Sequence, residues 1–94
     1  MPMLKIYALK CDINNKELER VEIGTYLHDG YSPIRMDFNQ YEKCFDETMK
    51  KLSCMHGNVG DYLTVEIEGG YKPHHVQMVN NEEMIVFWKR GMQA

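Results

Sequence analysis

The sequence predicts a single α+β domain of order ββαβββ, in which one long helix packs on a mostly antiparallel five-stranded sheet. One observation is an apolar stripe with helical spacing at residues 38–56, in the middle of the chain. The other is a set of five flanking segments with the alternating or continuous apolar pattern of strands. Because the chain has 94 residues and no linker-like stretch, we expect residues 1–94 to form one domain.

The first two predicted strands, residues 4–13 and 18–27, are expected to form a hairpin. In the second of them, Val21 and Ile23 alternate with charged neighbours, which is the pattern of a strand with one buried face. An Asn-Asn pair lies between the two strands. Asn tolerates the positive φ that a tight turn requires, so this pair predicts the turn.

The helix is predicted over residues 38–56. Asp37 is a good N-cap, and Gln40 stands at the capping-box position three residues later. Gly57 supplies the left-handed conformation with which many helices end. The stripe expected to face the sheet consists of Phe38, Tyr41, Phe45, Thr48, Leu52 and Met55.

The last three predicted strands cover residues 62–68, 75–79 and 84–89, and a second Asn-Asn pair joins the last two. The first of the three alternates apolar with polar residues, as a half-buried strand does. Residues 84–88 are apolar without interruption, which predicts a strand that is covered on both faces or whose outer face meets a partner. The predicted core comprises Phe38, Tyr41, Phe45, Leu52, Leu63, Val65, Ile67, Val86 and Trp88.

Two loops share the signature Gly-Tyr-x-Pro, at residues 30–33 and 70–73. The predicted topology places both loops and the helix N-terminus at one end of the domain, and both Asn-Asn turns at the other. Loops carry binding function more often than cores do. The residues expected to gather at this end are His28, Asp29, Tyr31, Arg35, Tyr71, Lys72, His74 and His75.

These residues fit three interpretations, and one of them is a contact with a partner protein. Helix N-terminal amides attract anions, Tyr stacks on bases, and Arg and His form charge-assisted hydrogen bonds, so a phosphate-bearing ligand suits the set. The third interpretation is structural: Asp37 already caps those amides, and Pro and Gly set the turn geometry. In that case Tyr31 and Tyr71 cover the end of the core.

Phe87 and Trp88 are also candidate partner-binding residues. Trp88 either belongs to the core or anchors an interface, since Trp and Met are enriched at protein contacts. A sheet with one helix covers only one face of the apolar strand 84–88. We therefore expect a homodimer to cover the other face by a self-complementary contact.

The sequence predicts no catalytic residues, no metal site and no cofactor. Cys54 and His56 form a Cys-x-His element, but Cys44 lies ten residues earlier on the same helix, about 15 Å away. The paired ligand spacing of structural zinc sites is absent from the sequence. The sequence also lacks a nucleophile elbow and a phosphate-binding loop with its Lys-Ser/Thr. We expect a protein that is not an enzyme.

Composition and charge further narrow the class of protein. The formal net charge of -3 argues against a nucleic-acid binder, which usually has a basic surplus. No apolar run approaches the roughly 20 residues of a membrane span, and no signal peptide is visible, so a cytoplasmic location with reduced thiols is expected. Eight Met and two Ala indicate an AT-rich coding genome, which suits a microbe or one of its viruses.

The sequence therefore predicts a small non-enzymatic binding or regulatory protein that acts through protein–protein contacts. Inhibitors and adaptors encoded by phages or mobile elements have this profile. The alternative is a binder of a small anionic or nucleotide-like ligand at the two Gly-Tyr-x-Pro loops.

Overall fold

A computed structural model describes residues 3–30, 33–52 and 60–89. One helix packs on a six-stranded sheet, so the α+β class is confirmed and the strand count is one more than predicted. The predicted helical residues 53–56 and Gly57 lie outside the described residues, as does Tyr31. In chain order the elements are β1 (Met3–Cys11), β2 (Glu17–Leu27), β3 (Arg35–Asp37), α1 (Phe38–Leu52), β4 (Tyr62–Ile67), β5 (Tyr71–Val79) and β6 (Glu82–Lys89).

The strand order in the sheet is β2-β1-β4-β5-β6-β3, and each neighbouring pair is antiparallel. Both predicted Asn turns are confirmed, because Asn15, Asn80 and Asn81 have φ values of 66°, 51° and 64°. In the first turn, the Asp12 carboxylate accepts hydrogen bonds from the backbone N–H groups of Asn14 and Lys16. This side chain replaces backbone partners that the short turn cannot supply.

The strand that the sequence did not reveal is β3, since three residues are too few to show an alternating pattern. Arg35 pairs with Val86 and Asp37 pairs with Met84 at the start of β6. This pairing carries the start of α1 to the turn between β5 and β6. The prediction that the helix N-terminus lies with both Gly-Tyr-x-Pro loops, away from that turn, is therefore wrong.

The predicted N-cap is present. The Asp37 Oδ2 atom accepts hydrogen bonds from the backbone N–H groups of Asn39 and Gln40, at 3.1 and 3.4 Å. One carboxylate thus satisfies two of the N–H groups that the first helical turn leaves without intrahelical partners.

The main core lies between α1 and the sheet. Leu52 is buried, which confirms the helix phasing, and Val65 and Ile67 are buried as predicted. Val86 is also buried as predicted, although it lies outside the cluster that faces α1. Five predicted core residues are only half-buried: Phe38, Tyr41, Phe45, Leu63 and Trp88. The buried cluster consists of Ile6, Ile34, Met36, Val65, Ile67, Ile85 and Phe87.

The sheet divides between β4 and β5. The only residue pair that joins these strands in the register is Ile67 with Tyr71. The turn between the strands contains Gly69 and Gly70, whose φ values of 102° and 89° favour glycine. We call β2-β1-β4 the first half of the sheet and β5-β6-β3 the second half. The helix packs on all three strands of the first half and on β3 and β6 of the second.

Candidate functional site

The outer face of the second half, which points away from α1, carries several of the predicted binding residues. Phe87 contacts Tyr41 of the helix edge-on, with ring centroids 6.2 Å apart, so Phe87 faces inward. Its neighbours Val86 and Trp88 therefore face outward, because side chains alternate along a strand. The register places Lys72 beside Trp88, and His75 beside Val86.

A β-bulge builds the centre of this face. The register shifts between Pro73 and His75, and this extra residue brings His74 and His75 together against one side chain. The His74 ring stacks on Trp88, with centroids 3.6 Å apart and an interplanar angle of 17°. His75 meets Trp88 edge-on at 5.6 Å. The bulge explains how one strand can present two consecutive imidazoles to the same indole.

The two imidazoles also contact each other, since their Nδ1 atoms are 2.8 Å apart. A hydrogen bond of this kind requires one ring to donate and the other to accept, so at least one of the rings is neutral. One face of Trp88 is occupied by His74. We call His74, His75 and Trp88 the His–Trp cluster.

The other predicted binding residues lie around this cluster or away from it. Arg35 is on the same outer face, two strands from β5, and its carbonyl oxygen accepts a hydrogen bond from the Tyr26 hydroxyl. His28 lies near Tyr26, with ring centroids 6.3 Å apart. The structure therefore brings together Lys72, His74 and Trp88, while His28 stands apart from them at the end of β2.

Two further candidates belong to the helix side of the sheet. Phe87 is 1% exposed and lies in the core, so its side chain is not part of a surface for a partner. Tyr71 is half-buried and packs against the core cluster, which agrees with the interpretation that it covers the end of the core. The Nζ atom of Lys89 lies 6.0 Å from the centre of the Tyr71 ring.

An ion network on the outer face of the first half borders this region. The guanidinium of Arg20 lies 2.7 Å from carboxylate oxygens of both Glu17 and Glu66, and 4.6 Å from the centre of the Tyr7 ring. The hydrogen bond from Arg20 lowers the pKa of Glu17, and the nearby charge of Lys72 acts in the same direction. The hydrogen bond to Glu17 raises the pKa of Arg20. The charge of Lys72 therefore acts on a surface that also carries the Glu17 carboxylate.

Sequence reasoning did not find this network. Arg20 and Glu66 occupy polar positions of strands that are distant in the chain, and they meet only because β1 holds β2 and β4 on its two edges. Their sequence separation gives no signal of the contact.

The C-terminal part of β5 is the most exposed part of the sheet. Val76 is 52% exposed and Met78 is 61% exposed, although both are apolar. His75 and Gln77 are exposed as well. Beyond Tyr71, the described residues contribute no strand beside the edge of β5 that faces β4.

No group of three or more His, Cys, Asp or Glu in residues 3–30, 33–52 and 60–89 is arranged to hold a metal ion. Cys11 and Cys44 are free thiols. Burial raises the pKa of Cys44, which favours the less reactive protonated form. This agrees with the prediction that Cys44 is a small residue packed beside the helix stripe.

No helix in the described part of the chain has the length and apolar character that crossing a membrane requires. In comparisons with other proteins, the chain matches no family model, no curated protein and no solved structure. The candidate site is therefore defined by the geometry of its own residues.

Proposed function

We propose that this chain is a non-enzymatic binding protein that pairs through β5 with an extended segment of a partner protein. The observation that carries the proposal is the register of the sheet, in which β5 is paired along β6 but meets β4 at Tyr71 alone. Among the described residues, no strand pairs with the other backbone edge of residues 73–79.

The sequence of β5 supports the proposal because this edge has little protection. Natural proteins block exposed edges with charges, prolines or bulges, since an open row of N–H and C=O groups pairs readily with another chain. The bulge and Pro73 protect the beginning of β5. Residues 76–79, Val-Gln-Met-Val, contain neither a charge nor a proline.

The side chains of β5 add a second contribution. Val76 and Met78 share one face of the strand and are both more than half exposed. An added strand would bury part of both, and its backbone would form the ladder of hydrogen bonds. In strand addition the main chain supplies affinity, and alternate side chains supply specificity. Such a contact suits a regulatory protein, because it can occupy a partner segment that otherwise binds elsewhere.

A charged edge variant tests the proposal. We expect Met78→Lys to weaken partner binding by at least about fivefold, because a lysine at the open edge opposes strand addition. The matched control is Leu18→Lys, since Leu18 is 46% exposed and lies on β2, the edge strand of the first half. Both variants change an exposed apolar residue to lysine, so differences in net charge cancel.

The experiment is capture from a cell lysate with wild-type protein and the two variants, followed by titration of the captured partner and amide hydrogen exchange. We expect the partner to be retained by the wild type and by Leu18→Lys, and residues 76–79 to gain protection in the complex. Equal retention by Met78→Lys, or protection confined to other strands, contradicts the proposal.

The same samples test the anionic-ligand alternative. The helix N-terminus is not beside Lys72 and His74, so the structure removes the anion-binding amides from that hypothesis. A nucleotide that raises the melting temperature of the wild type but not of Lys72→Ala would favour the small-ligand function instead. Ligand at one hundred times its dissociation constant adds about 2.7 kcal/mol to stability, which such an assay detects.

A further inference from the structure

A groove runs along one flank of α1, on the side of the sheet opposite the His–Trp cluster. One part is a cavity of about 320 Å³ lined by Phe38, Tyr41, Glu42, Phe45 and Asp46. The other part, of about 420 Å³, is lined by Asp37, Phe38, Asn39, Asn81, Glu82 and Glu83. Phe38 borders both parts, so they adjoin. We call the two parts together the aromatic groove.

The floor of the groove is apolar and fixed from below. Phe38, Tyr41 and Phe45 lie on the stripe that the sequence assigns to the core, yet each is only half-buried. Tyr41 packs on Phe87 of the core and lies 6.4 Å from Phe45, measured between ring centroids. Burial raises the pKa of Tyr41, so its phenol is neutral at physiological pH. Three anchored aromatic side chains therefore present apolar surface to solvent.

The rim of the groove is uniformly acidic. Every charged side chain that lines it is a carboxylate: Asp37, Glu42, Asp46, Glu82 and Glu83. Asp37 is engaged in the helix cap. Within the described part of the chain, the ion pairs involve other carboxylates, those of Glu17, Glu22, Glu47 and Glu66. The rim charges are therefore not neutralised by ion pairs among these residues.

We propose that the aromatic groove binds a basic protein segment in which Lys or Arg flanks a bulky apolar side chain. The apolar side chain would cover the half-buried aromatics, which removes apolar surface from water. The flanking cations would lie beside the carboxylates and over the ring faces, where the aromatic quadrupole attracts positive charge. Charge complementarity selects a basic segment over an acidic or a neutral one.

This site is independent of β5. The residues that line the groove belong to α1, to the residue before it and to the β5–β6 turn with the start of β6, and none of them is in residues 71–79. The chain would then contact partners in two ways, by strand pairing at β5 and by a side-chain groove along the helix.

The probe is a fluorescein-labelled twelve-residue peptide of alternating Lys or Arg and Leu with one Trp, and its matched partner has Glu at each basic position. The test variant is Glu42→Gln/Asp46→Asn. The control variant, Glu19→Gln/Glu47→Gln, removes two carboxylates that do not line the groove. We expect the test variant to bind the basic peptide about three- to tenfold more weakly, as the loss of two exposed charge pairs implies. The control should stay within about twofold of the wild type.

The location of binding is read by NMR. We expect the ring resonances of Phe38, Tyr41 and Phe45 to shift on addition of the basic peptide, and the acidic peptide to cause no shift. Equal weakening in both variants would overturn the proposal, because it would show that the peptide responds to net charge alone. Unchanged binding in the test variant would overturn it as well. So would shifts confined to residues 76–79, or a failure of the basic peptide to bind.

Discussion

The two halves of the sheet bury their outer faces to different extents. In the first half, the outward-facing Leu9, Cys11 and Glu66 are 0%, 1% and 7% exposed. In the second half, the outer residues His74, His75 and Gln77 of β5 are exposed, and burial on this face is limited to Val86 of β6 at 5%. β1 and β5 both have nine residues, so the length of these two strands does not explain the contrast.

The difference lies in what crosses each face. In the first half, Arg20 extends from β2 across β1 to Glu66 of β4, and it covers the Tyr7 ring on the way. In the second half, His74 covers one face of Trp88, and no strand of the described residues pairs with β5 beyond Tyr71 on the edge that faces β4. A long charged side chain thus lies across the outer face of the first half, whereas the outer residues of β5 are exposed. The contrast teaches that burial in this protein follows position in the sheet more closely than side-chain polarity.

The largest expected effect compares the two halves with two aliphatic truncations, one of Leu9 in the first half and one of Val76, which lies on the helix side of β5 opposite Ile85. Leu9→Ala should lower the free energy of unfolding by about 2–5 kcal/mol, because Leu9 is fully buried and its loss leaves a cavity. Val76→Ala should change it by less than about 0.5 kcal/mol, because Val76 is 52% exposed. Urea unfolding followed by circular dichroism measures both. Similar costs at the two positions would remove the distinction between the halves.

The next effect concerns the ion network. Arg20→Met should destabilise the protein by about 1–3 kcal/mol, since it leaves the nearly buried Glu66 carboxylate without its partner. We expect a smaller loss of stability than for a fully buried ion pair because Arg20 is about one-third exposed. The double variant Arg20→Met/Glu66→Met should recover part of the loss. A double variant as unstable as the sum of the single ones would show that the two side chains act independently.

The Arg20→Met variant also tests how the stability of the protein depends on pH. The pKa of Glu17 is below its ordinary value in the folded state because Arg20 hydrogen-bonds to it. Its contribution to stability is therefore complete above the ordinary glutamate pKa, and it is lost as the pH falls through the lower folded value. We expect an NMR titration of Arg20→Met to return the Glu17 pKa towards its ordinary value. A Glu17 pKa that does not move would contradict the assignment of Arg20 as the cause.

The smallest expected effect tests the second half. His74→Ala should cost about 0.5–1.5 kcal/mol, the usual range for a stacked ring pair, and should shift the fluorescence of Trp88 to longer wavelength as one indole face becomes exposed to water. Trp88 is the only Trp in the chain, so the signal is unambiguous. His28→Ala is the control, because its ring lies near Tyr26. Unchanged emission in His74→Ala would show that the imidazole does not shield the indole.

Much of the fold follows from local patterns in the sequence. The spacing of Leu52 within the helix stripe, the Asp37 N-cap and the two Asn turns each depend on residues close together in the chain. The strand β3 lacks such a pattern because it is three residues long, and its pairing with β6 depends on residues about fifty positions away. Because the sequence does not reveal β3, it predicts the helix N-terminus at the wrong end of the domain.

The candidate binding surfaces also depend on contacts that the sequence does not show. Sequence reasoning selected Lys72, His74 and Trp88, and the structure places them together, but the bulge that adds His75 to Trp88 is a property of strand register. Phe87 and Val86 are both apolar neighbours, and only packing against Tyr41 decides which of them faces the helix.

The sequence by itself determined the fold class, the helix phasing and the turns, because these depend on periodicity and on backbone preferences within a few residues. Tertiary structure alone decided where the sheet divides, which carboxylates Arg20 meets and which edge of β5 is left unpaired by the described residues. The aromatic groove arises in the same way, since Phe38, Tyr41 and Phe45 satisfy the pattern of a core stripe and remain half-buried. A periodic pattern fixes the direction in which side chains point, but only the assembled sheet fixes how far each direction is covered.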